Sequence, residues 1–357
     1  MSTPGTLVVF HPPSTPHSTT RMKRILKPVF FFMAVLMAAC STDKTHFRLE
    51  GKIDNIDQSE FYIYSPGGDF DGMDTIRVKG GRFTYERAVE SDMVLALLFS
   101  DKGQLMLVAE PGTTARLRGN ATRLGEAEIT GTDANNMLSD LRNDILSGGP
   151  QQTVLKATHF IRSHKESPAA TAVFLRYLAN PDEGDANTTR EMLDLLVQGQ
   201  PKSTTVANLK SRLMPLINTA KGRKLPKFSL PLLDGGQLES KDCTGQPLLF
   251  VFWAQWSSSS YAIMREAHKM EKRYAPHLKV IYVNIDADRQ TCRTRARRDT
   301  LGPNVVFDGE GPTGPAATTL GMRSTTEWFV CDRQGRITTR DTRTETMQEA
   351  IEQACAK

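Results

Sequence analysis

The chain has 357 residues, a net charge of +5, and apolar and charged fractions of 39% and 24%. That length is enough for two or three domains, and the apolar share supplies packed cores, which excludes broad disorder. The modest positive charge, part of it confined to a short segment near the N-terminus, gives no electrostatic footprint for nucleic acid.

Met1 to Arg21 is rich in Pro, Ser and Thr and carries no pattern. Met22-Lys23-Arg24-Ile25-Leu26-Lys27 then opens a basic segment, followed by an apolar stretch from Pro28 to Leu36 and by Met37-Ala38-Ala39-Cys40. This is the layout of a signal peptide, too short for a lasting membrane span. The small residues before Cys40 resemble the lipobox of bacterial lipoproteins, with Met37 where leucine is usual. The resemblance implies a start at Met22, residues 1–39 as a non-native start plus signal peptide, and lipid on Cys40 tethering the folded part to a membrane. An ordinary secretory signal with Cys40 as a bystander is the alternative. Either expectation places the protein in the bacterial cell envelope, periplasmic or anchored at the outer membrane.

Residues 40–134 read as a β domain. Phe47-x-Leu49-x-Gly51-x-Ile53, Phe61-x-Ile63, Thr75-x-Arg77-x-Lys79, Phe83-x-Tyr85, Val94 to Phe99 and Leu105 to Ala109 are strand-length runs separated by turn residues. Their spacing predicts a small sandwich or barrel. Asp74-Thr75, Gly81-Arg82-Phe83 and Glu110-Pro111-Gly112 resemble an N-terminal domain of unknown function found in bacterial lipoproteins.

Over residues 135–222 the period changes. Leu138, Leu141 and Ile145, then Leu155, Phe160 and Ile161, then Ala172, Val173, Leu175 and Leu178, then Met192, Leu193, Leu195 and Leu196 form helical stripes. They break at Gly148-Gly149-Pro150, Ser167-Pro168 and Asn180-Pro181, which predicts a helical connector.

Residues 225–357 alternate strand and helix. Leu248-Leu249-Phe250-Val251-Phe252 is a buried-strand run ending at Trp253-Ala254-Gln255-Trp256 and four serines, Ser257 to Ser260. Ile263, Met264, Ala267, Met270 and Tyr274 then mark an amphipathic helix, Val280 to Ile285 a strand, Arg289 to Leu301 a helical segment, and Trp328 to Ile337 a strand-turn-strand unit before a last helix from Met347. This order predicts an α/β domain with both sheet faces covered.

Leu225-Pro226-Lys227-Phe228-Ser229-Leu230, Phe252-Trp253-Ala254-x-Trp256 and Phe329-Val330-Cys331-Asp332-x-x-Gly335 together resemble the thioredoxin-like domain of the TlpA/ResA group of extracytoplasmic thiol-disulfide oxidoreductases. The resemblance implies a nucleophilic cysteine at Ser257, a resolving cysteine at Ser260 and a cis-proline at Thr326. All three are replaced. A serine hydroxyl cannot supply the thiolate that attacks a disulfide, and a non-proline cis peptide costs about 2.5–4 kcal/mol, so the bond before Thr326 is expected to be trans.

The chemistry left to this edge is binding. Trp256, Ser257 and Ser258 are the candidate contacts for a protein or peptide, with an anion at the helix start as another occupant. Serine hydrolysis is disfavoured because His268 lies three helical turns away and no Gly-x-Ser-x-Gly elbow exists. The plain role for the serines is helix capping. Cys243, Cys292, Cys331 and Cys355 have no Cys-x-x-Cys or metal spacing. Cys331 reads as a core residue and Cys243 and Cys292 as more polar, so an alternative reading is thiol oxidoreductase or peroxidase-type activity through these cysteines, and another is a structural envelope module. The run Arg289, Arg293, Arg295, Arg297, Arg298 reads as a solvated helix face. No cofactor or metal is expected.

Overall fold

The computed structural model describes residues 45–99, 103–181 and 185–356; Cys40 and the expected leader lie outside them. The first part is one sheet of β1 (His46–Asp54), β2 (Gln58–Tyr64), β3 (Asp74–Lys79), β4 (Arg82–Ala88), β5 (Met93–Leu98), β6 (Gln104–Ala109), β7 (Thr114–Asn120) and β8 (Glu128–Thr130). Its order is β6-β5-β2-β3-β4-β1-β7-β8, antiparallel except for the β1–β7 pair. Strand β1 shows why it curls around a core: Phe47, Leu49 and Ile53 point inward while Arg48 and Lys52 stay in water. Strands β7 and β8 bring only Ala115, Leu117 and Ile129 to the core and were not among the runs legible in the sequence.

The curled sheet does not close by strand pairing, because β6 and β8 are its two ends. Helix α1 (Asp133–Leu146) bridges them. On the β6 edge, Val108 N–H donates to Asn135 Oδ1 at 2.9 Å, and Asn135 Nδ2 donates to the Val108 carbonyl at 2.8 Å. On the β8 edge, Ile129 N–H donates to Ser139 Oγ at 2.9 Å, and that hydroxyl donates to the Ile129 carbonyl at 2.8 Å. Asn135 and Ser139, one helical turn apart, thus each imitate a neighbouring strand. The expected sandwich or barrel is therefore a single near-barrel sheet completed by a helix.

The remaining helices are α2 (Pro150–Ser163), α3 (Pro168–Tyr177), α4 (Ala186–Gly199) and α5 (Thr204–Asn218); the first three follow the breaks seen in the sequence, and α5 was not among its stripes. Ser167, Asp185 and Ser203 cap α3, α4 and α5 through side-chain oxygens. The helices do more than connect. Val94, Ala96, Met106 and Val108 pack among them, while Leu95, Leu97, Leu105 and Leu107 face the sheet's own core. Strands β5 and β6 are continuous apolar runs for this reason, covered on both faces.

The last part opens with a short antiparallel pair, β9 (Ser229–Pro231) and β10 (Gln237–Glu239). There follow β11 (Leu248–Trp253), α6 (Ser260–Tyr274), β12 (Lys279–Asn284), α7 (Arg289–Arg298), β13 (Val305–Phe307), α8 (Pro315–Thr319), β14 (Trp328–Cys331), β15 (Ile337–Asp341) and α9 (Met347–Cys355). The sheet order is β13-β12-β11-β14-β15, with β11, β12 and β13 parallel and β14 and β15 antiparallel. Leu249, Val251 and Trp253 face α6 and α9, whereas Leu248, Phe250 and Phe252 face the layer holding Phe329 and Leu320.

Gly321 joins this domain to α5. It has φ of +60°, and a Cβ there would lie 2.0 Å from Thr219 Oγ1 and 2.8 Å from the Pro215 carbonyl, so only glycine allows the approach. Beside it, Arg340 donates to the carbonyls of Thr219, Leu320 and Gly321 and to Glu327. No helix among the described residues is long and apolar enough to cross a membrane.

Asn135→Ala leaves a buried N–H and a buried carbonyl of Val108 without partners, and is expected to destabilise the fold by about 2–4 kcal/mol, read as a lower urea midpoint with an unchanged slope.

Candidate functional site

Strand β11 runs through the middle of the sheet, fully buried, and delivers its C-terminal end to a tight turn at Ala254–Ser259 before α6. Ser257 N–H donates to the Ala254 carbonyl at 3.2 Å, and Ser260 N–H to the Ser257 carbonyl at 3.2 Å. The buried Ser260 hydroxyl shares its proton between the carbonyls of Ser257, at 2.7 Å, and Ala254, at 2.9 Å. This serine ties the turn to itself.

The expected capping is not found. Ser259 is the residue flanking α6, and it makes no side-chain bond to the helix. The turn is narrow enough for main-chain bonds from Tyr261 to Ser258 and from Ala262 to Ser259, so the first free amides are satisfied by the backbone itself.

The turn is held from below by a residue the sequence reading did not single out. Buried Asp286, just past β12, accepts Gln255 N–H on both carboxylate oxygens at 3.0 Å, and Asn284 Nδ2 donates to it at 2.8 Å. Tyr261 Oη donates to the Gln255 carbonyl at 2.5 Å, and the Arg295 guanidinium lies 4.0 Å above the Tyr261 ring. With Gln255 gripped on both sides, Trp256 is turned outward and is 62% exposed. An Asp closing an apolar strand next to a turn was the available signal.

The facing loop comes from the segment before β14. Thr325 Oγ1 lies 3.5 Å from Ser257 Oγ, while Thr326 pairs with Ser324 Oγ at 3.0 Å. The residue directly opposite Ser257 is therefore Thr325, with Thr326 beside it. The peptide before Thr326 is trans, as expected, since the cis bond of the described residues is Ala275–Pro276. Glu327 follows, buried, with Arg340 Nε at 2.6 Å and the Arg323 N–H at 2.9 Å. An acid beside an apolar strand, with an arginine on the neighbouring strand, was the sequence signal for this pair.

Ser257 and Ser260 thus share one turn with Trp256 and exposed Ser258, and Thr325 links that turn to the segment holding Thr326. His268 is not part of the group. It sits farther along α6 with Nδ1 3.4 Å from Glu271 Oε2, so no base serves Ser257. In the basic run, Arg289 donates to the Leu233 carbonyl, Arg293 reaches Asp234 and Arg295 pairs with Asp299, leaving Arg297 and Arg298 as the solvated part.

The cysteines correct the sequence reading. Cys243 and Cys292, expected in polar surroundings, are as buried as Cys331. Burial pushes the Cys243 thiol up to about 11, the Cys292 thiol up to about 12 and Cys331 well above its ordinary value. All four described cysteines are free thiols, and only Cys355 is partly accessible. Cys355 is expected to react first with iodoacetamide at pH 8, and the other three only on unfolding, as read by peptide mass spectrometry. The raised values also fix a sign. Burying these thiols is without ionisation cost below about pH 8.5, the ordinary thiol value; above it the unfolded chain loses protons first. Stability therefore falls as pH rises toward about 11–12.

Residues 221–340 match the AhpC/TSA family, and residues 47–138 match a domain of unknown function, DUF4369. Among curated proteins, the chain is 33% identical over 98 residues to the thioredoxin-like protein YneN of Bacillus subtilis, covering 27% of this chain and 58% of that protein. It is 30% identical over 120 residues to the thiol:disulfide interchange protein DsbE of Vibrio cholerae serotype O1, covering 32% and 61%. The chain thus spans about three fifths of the length of these two relatives. A solved thiol-disulfide oxidoreductase from Bacteroides fragilis is 24% identical, with a TM-score of 0.34 over 37% of this chain and 98% of its own. The chain therefore joins a DUF4369 domain to a thioredoxin-like domain of the AhpC/TSA type, related in sequence to thiol-disulfide oxidoreductases.

Proposed function

We propose that the thioredoxin-like domain binds an extended protein or peptide segment non-covalently at Trp256, Ser257 and Ser258, without dithiol-disulfide turnover, in a lipoprotein of the bacterial cell envelope. The observation that carries this reading is the state of the two serines. Ser260 spends its hydroxyl on main-chain carbonyls inside the turn, and Ser257 faces Thr325 with no base beside it. Disulfide exchange needs a thiolate at one of these positions and a second thiol at the other. The exposed indole of Trp256 next to free hydroxyls is suited to contact instead, since a large aromatic ring supplies apolar area and its N–H a polar handle. Exchange through other cysteines is disfavoured because burial holds Cys243, Cys292 and Cys331 as protonated, enclosed thiols.

The segment from Met22 to Cys40 supports export and lipid attachment. The anchor would leave the described domains in the aqueous compartment beside the membrane.

Two measurements test the binding claim. The purified chain from Ser41 onward is expected to leave the reduction of insulin by dithiothreitol at its uncatalysed rate. It is expected to bind reduced, carboxymethylated lactalbumin in a fluorescence anisotropy titration, with Trp256→Ala weakening binding roughly tenfold. Insulin reduction that disappears when Cys355 or another cysteine is replaced would overturn the reading. Combined Ser257→Cys, Ser260→Cys and Thr326→Pro substitutions are expected to restore part of the exchange activity. For the anchor, mass spectrometry of the mature protein is expected to find a lipid-modified Cys40 as its first residue, and an unmodified different N-terminus refutes it.

A further inference from the structure

Arg142 lies on α1 one turn beyond Ser139 and close to the seam where the helix bridges the sheet edges. Its Nη2 donates to Ser139 Oγ at 2.9 Å, while its Nε is sealed from solvent without a hydrogen-bond partner in the protein. Glu128 and Tyr177 act on it only through space. Burial works against the charge and holds the guanidinium below its ordinary value. The guanidinium lines a half-open cavity of about 30 Å³ together with Gln104, Leu138, Ala172, Arg176 and Tyr177. Arg176 is exposed at this cavity, its guanidinium 5.5 Å from the Tyr177 ring.

A guanidinium N–H sealed from water without an acceptor is costly and is met by a partner, a water or an ion. We propose that this cavity binds one small monovalent anion, a halide or a carboxylate group, between Arg142 and Arg176. The enclosed part of the cavity is small, which suits a single small anionic group at the guanidinium. The walls from Leu138 and Ala172 lower the local polarity and strengthen the attraction to the guanidinium. Because Arg142 also holds Ser139 against β8, an anion here would neutralise charge at the point where the near-barrel is closed.

The test is a thermal unfolding series at constant ionic strength, in which sodium chloride or sodium formate replaces sodium HEPES, whose sulfonate is too bulky to enter. Tm of the parent chain is expected to rise by roughly 2–4 °C at about ten times the dissociation constant. Arg142→Leu is expected to abolish the rise, read against its own Tm in HEPES. A response to chloride alone assigns a halide site, and a response to formate assigns a carboxylate receptor. Should Arg142→Leu fail to fold, Arg176→Gln must weaken the same response. Equal Tm in all three salts, or an equal rise in parent and variants, overturns the proposal and leaves the space to water.

Discussion

A sheet must satisfy the backbone amides and carbonyls at its edges, and in this protein that requirement falls on one helix. The near-barrel has two open ends, and α1 supplies each with a side chain that both donates and accepts. Water would satisfy these groups if they were exposed, but Val108 faces the helical layer and Ile129 the sheet core. Helix α1 cannot detach without uncovering both edges, so the sheet and the helices form one folding unit. The remaining helices then cover the apolar outer side of β5 and β6.

The thioredoxin-like domain obeys a similar economy at its own critical turn. In a working dithiol site the residue at the helix start must remain free to form and break a bond with its partner. Here the same position is taken up in holding the turn together through two carbonyls. Asp286 and Tyr261 fix the next residue from opposite sides, so the geometry of the strand-to-helix junction survives without a disulfide or its cysteines. What the junction presents outward is the Trp256 indole and the Ser258 side chain.

Much of this was legible in the sequence because it rests on period and order. The alternation in Phe47 to Ile53, the apolar run before Trp253 and the breaks at proline identified the three parts. The pairings that close the structure were hidden for a physical reason. Asn135 and Ser139 read as ordinary polar residues at a helix start, since nothing local reveals that the groups they satisfy lie 27 and 10 residues away. The serines were assigned to capping because serine at a helix start usually accepts an amide, whereas buried Ser260 is turned toward the carbonyls behind it. Cys243 and Cys292 were misplaced because flanking polar residues describe the neighbouring side chains and not the direction in which the thiol points. Thr325 went unnoticed because counting along a strand does not fix how the preceding loop bends.

Arg340 gives the joint between the parts an additional meaning. Its guanidinium satisfies a buried carboxylate and, at the same time, a main-chain carbonyl at the end of the helical layer, while Gly321 leaves no room for a side chain between the two. The thioredoxin-like part is thus fitted to this helical layer in the way a key is cut for one lock. Transplanting it onto an unrelated neighbour would strand the guanidinium's bond to the Thr219 carbonyl and lose the close approach at Gly321, so a change on one side of the joint must be answered on the other.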